Sequence, residues 1–91
     1  MIVRILEDGQ YELDDERAAA LEKLDVELDR AMRDNDETAF RATLAELVNE
    51  VHAGAARLDL ATIVPSDLTV PAAGSSIDEV RRLLAGETGD S

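Results

Sequence analysis

The chain has 91 residues, enough for one domain with a single modest core and too few for a deep cleft between two lobes. With 21 Asp and Glu against 9 Lys and Arg its formal charge is −12, which repels phosphate backbones and anionic lipid headgroups, so direct binding of nucleic acid or membrane is disfavoured. It has no cysteine, which excludes disulfides, thiolate nucleophiles and Cys-based metal sites and fits a reducing, cytoplasmic setting.

Residues 1 to 13, MIVRILEDGQYEL, read as a β-hairpin: two short β-rich runs around a Gly-containing turn. No signal peptide is read here, because Met1 to Leu6 is followed by acid and not by an apolar core with a small-residue cleavage site. A two-residue Asp8-Gly9 loop would set Leu6 opposite Tyr11 and Arg4 opposite Leu13, mixing charge into the apolar face. A three-residue Glu7-Asp8-Gly9 loop, with Gly9 left-handed, separates the faces. Val3, Ile5, Tyr11 and Leu13 then point to the core, Arg4 faces Glu12 as a cross-strand ion pair, and Ile2 and Leu6 flank that pair outside the core.

Asp14 and Asp15 are good N-caps for a helix from about Asp15 to Arg33, whose apolar stripe is Leu21, Leu24, Leu28, Ala31 and Met32. Asp29 and Arg33 are spaced as a supporting i,i+4 pair. Asp34-Asn35-Asp36 breaks the helix, and Asp36 caps a second one that carries Phe40, Leu44, Leu47, Val48 and Val51 as far as Gly54. So short a connection makes the two helices antiparallel neighbours.

Residues 54 to 64 read as loop. Leu68 to Val70, bracketed by Pro65 and Pro71, can form only an edge strand or an extended arm, and an edge strand on the hairpin is the preferred reading. Ser76-Ile77-Asp78-Glu79 is a capping box that opens a short helix with Ile77, Val80, Leu83 and Leu84 inward, ended by Gly86. The expected fold is therefore α+β: an N-terminal β-hairpin plus a short edge strand, packed against an antiparallel helical hairpin, with a short C-terminal helix. One domain spans 1–86, and 87–91 is a flexible acidic tail. No stretch is apolar enough to cross a membrane.

Sites for chemistry are sparse. Asp34-Asn35-Asp36-Glu37-Thr38 resembles the start of a calcium-binding EF-hand loop, but Ala39 stands where the loop needs Gly and Ala45 where it needs a bidentate Glu, so a helix-connecting turn is the better reading. His52, the single histidine, sits at a helix end with no second metal ligand beside it and no motif pairing it with a serine. No Gly-rich loop could cradle a phosphate. The acids Glu7, Asp8, Asp14, Asp15 and Glu16 have turn and capping duties, and paired-carboxylate chemistry has no distinctive spacing to support it. One Phe and one Tyr make no platform for stacking bases. No catalytic residue, metal or cofactor is expected.

Three stretches carry a resemblance: Met1-Ile2-Val3-Arg4-Ile5 through Gly9-Gln10-Tyr11, Glu37-Thr38-Ala39-Phe40, and Val64-Pro65-Ser66-Asp67-Leu68 followed by Pro71 and Asp78-Glu79-Val80. Together, in order and over about residues 1 to 85, they resemble the PspA-associated protein family, PspAA. The resemblance implies a non-enzymatic accessory of PspA, the phage-shock protein related to ESCRT-III that coats the bacterial inner membrane during envelope stress. It implies a cytoplasmic adaptor, drawn to the membrane through its helical partner and not inserted itself. An Arg- and Ala-rich, Lys-poor composition suits a GC-rich actinobacterium, while the short acidic tail departs from the family pattern.

The expected contact surface is the outer hairpin face, Ile2, Arg4, Leu6 and Glu12, with Asp67 at the sheet edge, since unpaired edges and apolar residues outside a core are common docking features. Covering of Ile2 and Leu6 by the last helix is the structural alternative. A second functional reading is an acidic antitoxin-like inhibitor, a nucleic-acid mimic on a basic protein surface. Homodimerisation through the exposed sheet edge is compatible with either.

Overall fold

The computed structural model describes residues 1–54, 56–59 and 64–84. In chain order it contains β1 (Ile2–Ile5), β2 (Gly9–Glu12), α1 (Asp15–Arg33), α2 (Glu37–Gly54), β3 (Ala56–Arg57), β4 (Leu68–Val70) and α3 (Ile77–Leu84). This is the α+β arrangement expected from the sequence. The strands form one mixed sheet in the order β3-β2-β1-β4, antiparallel at β3-β2 and β2-β1 and parallel at β1-β4.

Local signals explain the helical hairpin. Asp14 caps α1 by accepting from the Arg17 backbone N–H at 2.9 Å. At the other end Asn35 adopts a left-handed φ of 57°, the Asn35 N–H donates to the Met32 carbonyl, and the Asp36 N–H donates to the Ala31 carbonyl, which is the Schellman closure of a helix. Asp36 then caps α2 through Oδ1, 3.1 Å from the Ala39 N–H. The acids that superficially match a calcium loop are thus consumed in ending one helix and starting the next. Asp29 and Arg33 form their i,i+4 ion pair at 3.3 Å, both exposed.

One core sits between the sheet and the helical hairpin. Val3, Ile5, Tyr11, Leu13 and Val70 enter from the sheet, Leu21, Leu28 and Ala31 from α1, Phe40, Leu44, Leu47, Val48 and Val51 from α2, and Ile77 and Val80 from α3. Among the described residues no buried side-chain polar atom lacks a hydrogen-bond partner.

The hairpin register differs from the expected one. Val3 pairs with Tyr11, Arg4 with Gln10 and Ile2 with Glu12, so the loop is Leu6-Glu7-Asp8, closed by the Asp8 N–H donating to the Ile5 carbonyl at 3.0 Å. The positive φ, 68°, falls on Glu7 and not on Gly9. The slip is two residues, which preserves the period-two alternation, so the four expected core residues stay inward although the Arg4–Glu12 pairing is lost. A physical reason lies at Gly9, where the Arg57 guanidinium crosses the strand to donate to the Asp8 carbonyl at 2.8 Å. A Cβ at Gly9 would stand 3.2 Å from Arg57 Nη2, so the glycine serves close approach here and not the turn.

Glu in a left-handed conformation is disfavoured by about 1 kcal/mol or more. Glu7→Asn is therefore expected to raise stability by roughly 0.5–1 kcal/mol, read as a higher urea midpoint with an unchanged slope. An unchanged midpoint would show that the turn strain is relieved in another way.

Two further expectations are corrected. Residues 54 to 64 are not simply loop: Ala56–Arg57 forms β3 on the free edge of β2, Tyr11 opposite Arg57 and Glu12 opposite Ala56. The α3 helix opens on the expected capping box, with the Glu79 N–H 3.2 Å from Ser76 Oγ and the Ser76 N–H 2.8 Å from Glu79 Oε1, but only Ile77 and Val80 reach the core. Leu83 and Leu84 face outward at 46% and 75% exposure: α3 is tied to the α1–α2 turn, where Arg81 donates to the Met32 carbonyl and to Asn35 Oδ1, and only its first turn enters the core. Gly86 and the expected tail 87–91 lie outside the described residues.

Candidate functional site

The five residues expected at the contact surface do not share one face. Arg4 and Glu12 stand exposed on the sheet face away from the helices, with Ile2 half-buried beside them. Gln10 projects from the same face, and its Nε2 donates to the Val64 carbonyl at 3.0 Å and to Ser66 Oγ at 2.8 Å, so residues 64–66 lie against part of it. Asp67 is occupied with its own chain: its Oδ2 accepts from the Ile2 N–H at 2.8 Å while its N–H donates to the Ile2 carbonyl at 2.8 Å. This double bond to β1 aligns β4 in parallel register. Leu6, at the end of β1, turns toward α1 and α3 and is half-buried.

There it joins an open groove of about 540 Å³ between α1, α3 and the outer edge of β4. Leu6, Leu28, Met32, Pro71 and Val80 line it together with Val26, Leu83 and Leu84. These last three are the exposed large apolar side chains among the described residues, at 55%, 46% and 75% exposure, and all three converge on this one place. Scattered exposed apolar residues are ordinary, whereas a contiguous set is a mark of a contact surface.

The α1 wall of the groove is acidic. Asp25 and Asp29 line it, with Glu22 one turn before Asp25, and Arg33 balances Asp29 at 3.3 Å. Asp25 has no hydrogen bond or ion pair among the described residues although it is half-buried. Burial first, then the charges of Asp29 and Glu22, push its carboxyl above the ordinary aspartate range. A cation placed there would relieve that tension.

A second polar cluster sits at the same hairpin turn, on Asp8. Asp8 accepts from the Tyr11 hydroxyl at 2.7 Å through Oδ1, and His52 Nε2 lies 2.7 Å from its Oδ2. The Tyr11 and His52 rings meet at 5.5 Å between centroids, and the Arg57 guanidinium lies 5.9 Å over the Tyr11 ring. The hydrogen bonds from Tyr11 and then His52 hold Asp8 below its ordinary range. Burial, then the hydrogen bond to Asp8, pushes Tyr11 up.

This cluster ties turn, α2 end and β3 together. Among the described residues no serine or threonine hydroxyl shares the His52 bond, so no nucleophile is placed on it. Sequence reasoning gave Asp8 a turn duty and His52 a helix-end position but did not connect them, since they are far apart in the chain and lie on different elements. No group of three or more metal-ligating side chains is assembled among the described residues.

The model of one protein family, described as PspA-Associated protein, matches residues 1–90. The chain belongs to the PspA-associated protein family. No curated protein and no solved structure matches it. The matched span takes in the hairpin, the helical hairpin, both sheet edges and α3, so the groove and the open sheet face lie wholly inside it. No helix among the described residues is long and apolar enough to cross a membrane.

Proposed function

We propose that the protein is an accessory that binds PspA and modulates its assembly by contact, not by catalysis. The observation that carries this reading is the family match over residues 1–90. The convergence of Val26, Leu83 and Leu84 on one groove supports it from the side of the structure, because it supplies apolar surface that a partner would cover. In this reading the protein works in the cytoplasm and reaches the inner membrane only through PspA during envelope stress. A net charge of −12 opposes direct attachment to anionic headgroups, so recruitment through a protein is the physically easier route.

Of the residues expected from the sequence, Leu6 belongs to the groove, while Ile2, Arg4 and Glu12 offer a second, more polar face. The reading is tested by mixing the purified protein with PspA from the same organism and following both by size-exclusion chromatography at physiological salt. Co-elution and a changed PspA oligomer size are expected. Independent elution at every ratio would dismiss the reading.

A further inference from the structure

The groove has walls of a particular kind, and they restrict what can fill it. One wall is α1 from Asp25 to Arg33, about 12 Å long at 1.5 Å per residue, and the other is α3 from Val80 to Leu84. The floor, Leu6, Leu28, Met32 and Val80, is apolar. The polar side chains of the walls are Thr69 and the charged Asp25, Asp29 and Arg33, and the groove is half open to solvent. Small-molecule sites are enclosed and carry convergent polar groups, which this one lacks.

Strand addition to the neighbouring edge is also disfavoured. The β4 strand has three residues and stands between Pro65 and Pro71, so it offers a short ladder with no room to extend. A helix laid between two helices needs no such ladder, and about two of its turns match the length of the groove.

Charge then selects the kind of helix. Val26 stands next to half-buried Asp25, which has no hydrogen bond or ion pair among the described residues, and Glu22, Asp25 and Asp29 run along one flank of α1 at i, i+3 and i+7 spacing. Arg33 answers only Asp29. An incoming side chain that packs on Val26 therefore brings its neighbours beside an uncompensated negative flank, which favours Lys or Arg and penalises Asp or Glu.

We propose that this groove is the docking site for one amphipathic helix of the partner, its apolar face on Val26, Leu83 and Leu84 and a basic flank along Glu22, Asp25 and Asp29. This assignment deepens the reading given above and rests on it. It places the contact on the α1–α3 side of the molecule and assigns the open sheet face, Arg4 and Glu12, no part in it. A second copy of this chain is a poor occupant, because it would bring another −12 charge against an acidic wall.

The test uses the full chain and full-length PspA from the same organism, with affinity measured by titration calorimetry. The double variant Val26→Glu, Leu84→Glu changes exposed side chains, so folding is retained, which circular dichroism checks. Its affinity is expected to fall by about tenfold or more. Asp25→Asn is expected to weaken binding and flatten its salt dependence. Glu46→Gln on the exposed side of α2 serves as the control and is expected to bind as the unmodified protein does.

Unmodified protein that fails to bind PspA would remove the functional reading itself. A folded double variant with full affinity, beside unmodified protein that binds, would overturn the groove alone. Unchanged salt dependence in Asp25→Asn would overturn the basic helix as occupant. Loss of self-association in the double variant, with PspA binding intact, would assign the groove to a second copy and overturn the proposal. Hydrogen exchange on PspA is expected to show new protection on a helical segment carrying Lys or Arg, and protection confined to an acidic or non-helical segment would contradict it.

Discussion

Phe40→Ala is expected to lower the free energy of unfolding by about 3–5 kcal/mol. Phe40 is the only phenylalanine, is 0% exposed, and stands in the one core shared by sheet and helices. Removing its ring leaves a cavity whose walls belong to several elements, and a core of this kind relaxes only in part. Domains of this size have about 5–15 kcal/mol in total, so the variant sits near the threshold of folding.

Urea unfolding followed by circular dichroism measures the change, and a loss under about 1 kcal/mol would show that the core can close over the gap. Binding should weaken with it, because Leu28 and Val80, which line the groove, are part of the same core.

Asp8→Ala is the second large expectation, a loss of about 1–3 kcal/mol near neutral pH. The substitution leaves the hydroxyl of Tyr11, a residue only 6% exposed, without its acceptor, and it frees His52 from the turn. The effect has a defined pH dependence. Asp8 titrates lower in the folded chain than in the unfolded one, so its stabilising contribution is complete above the ordinary aspartate value and disappears as pH falls through the folded value.

The difference between the unmodified protein and Asp8→Ala should therefore shrink in acid, as pH falls below the ordinary aspartate value and the Asp8 carboxylate is protonated. Tyr11 acts in the other direction. Its raised value means a contribution present below the ordinary tyrosine range and lost as pH rises through the folded value. Unfolding curves of both proteins across the acid range decide the matter, and a gap that stays constant into strong acid would show that the Asp8 carboxylate is not its source.

The parts of the fold that could be read from the sequence are those set by neighbours in the chain. Both ends of α1 and the start of α2 follow from Asp14, Asn35 and Asp36, each acting within five residues of itself, and the capping box at Ser76 and Glu79 is equally local. The hairpin was half legible. Alternation identifies Val3, Ile5, Tyr11 and Leu13 as inward in either of two registers that differ by two residues, and what selects between them is Arg57, lying across Gly9 from another strand.

The β3 strand carries no β-rich pattern of its own, and Ala56 and Arg57 are a strand because β2 offers an edge to them. At Leu83 and Leu84 the period points inward, but only the first turn of α3 enters the core and both side chains stand exposed. The groove itself was invisible for the same reason: Leu6, Val26 and Leu84 come from a turn and two helices, and only tertiary packing brings them together. The family, by contrast, was legible in words spread along the chain, and the match over residues 1–90 confirms it.

The most direct measurement is calorimetric titration of full-length PspA from the same organism into the purified protein at physiological salt, run in parallel with the Val26→Glu, Leu84→Glu variant. Saturable binding by the unmodified protein, weakened about tenfold or more in the variant, is the predicted result. Two well-folded proteins that share no measurable heat and no complex with PspA at any concentration would contradict it.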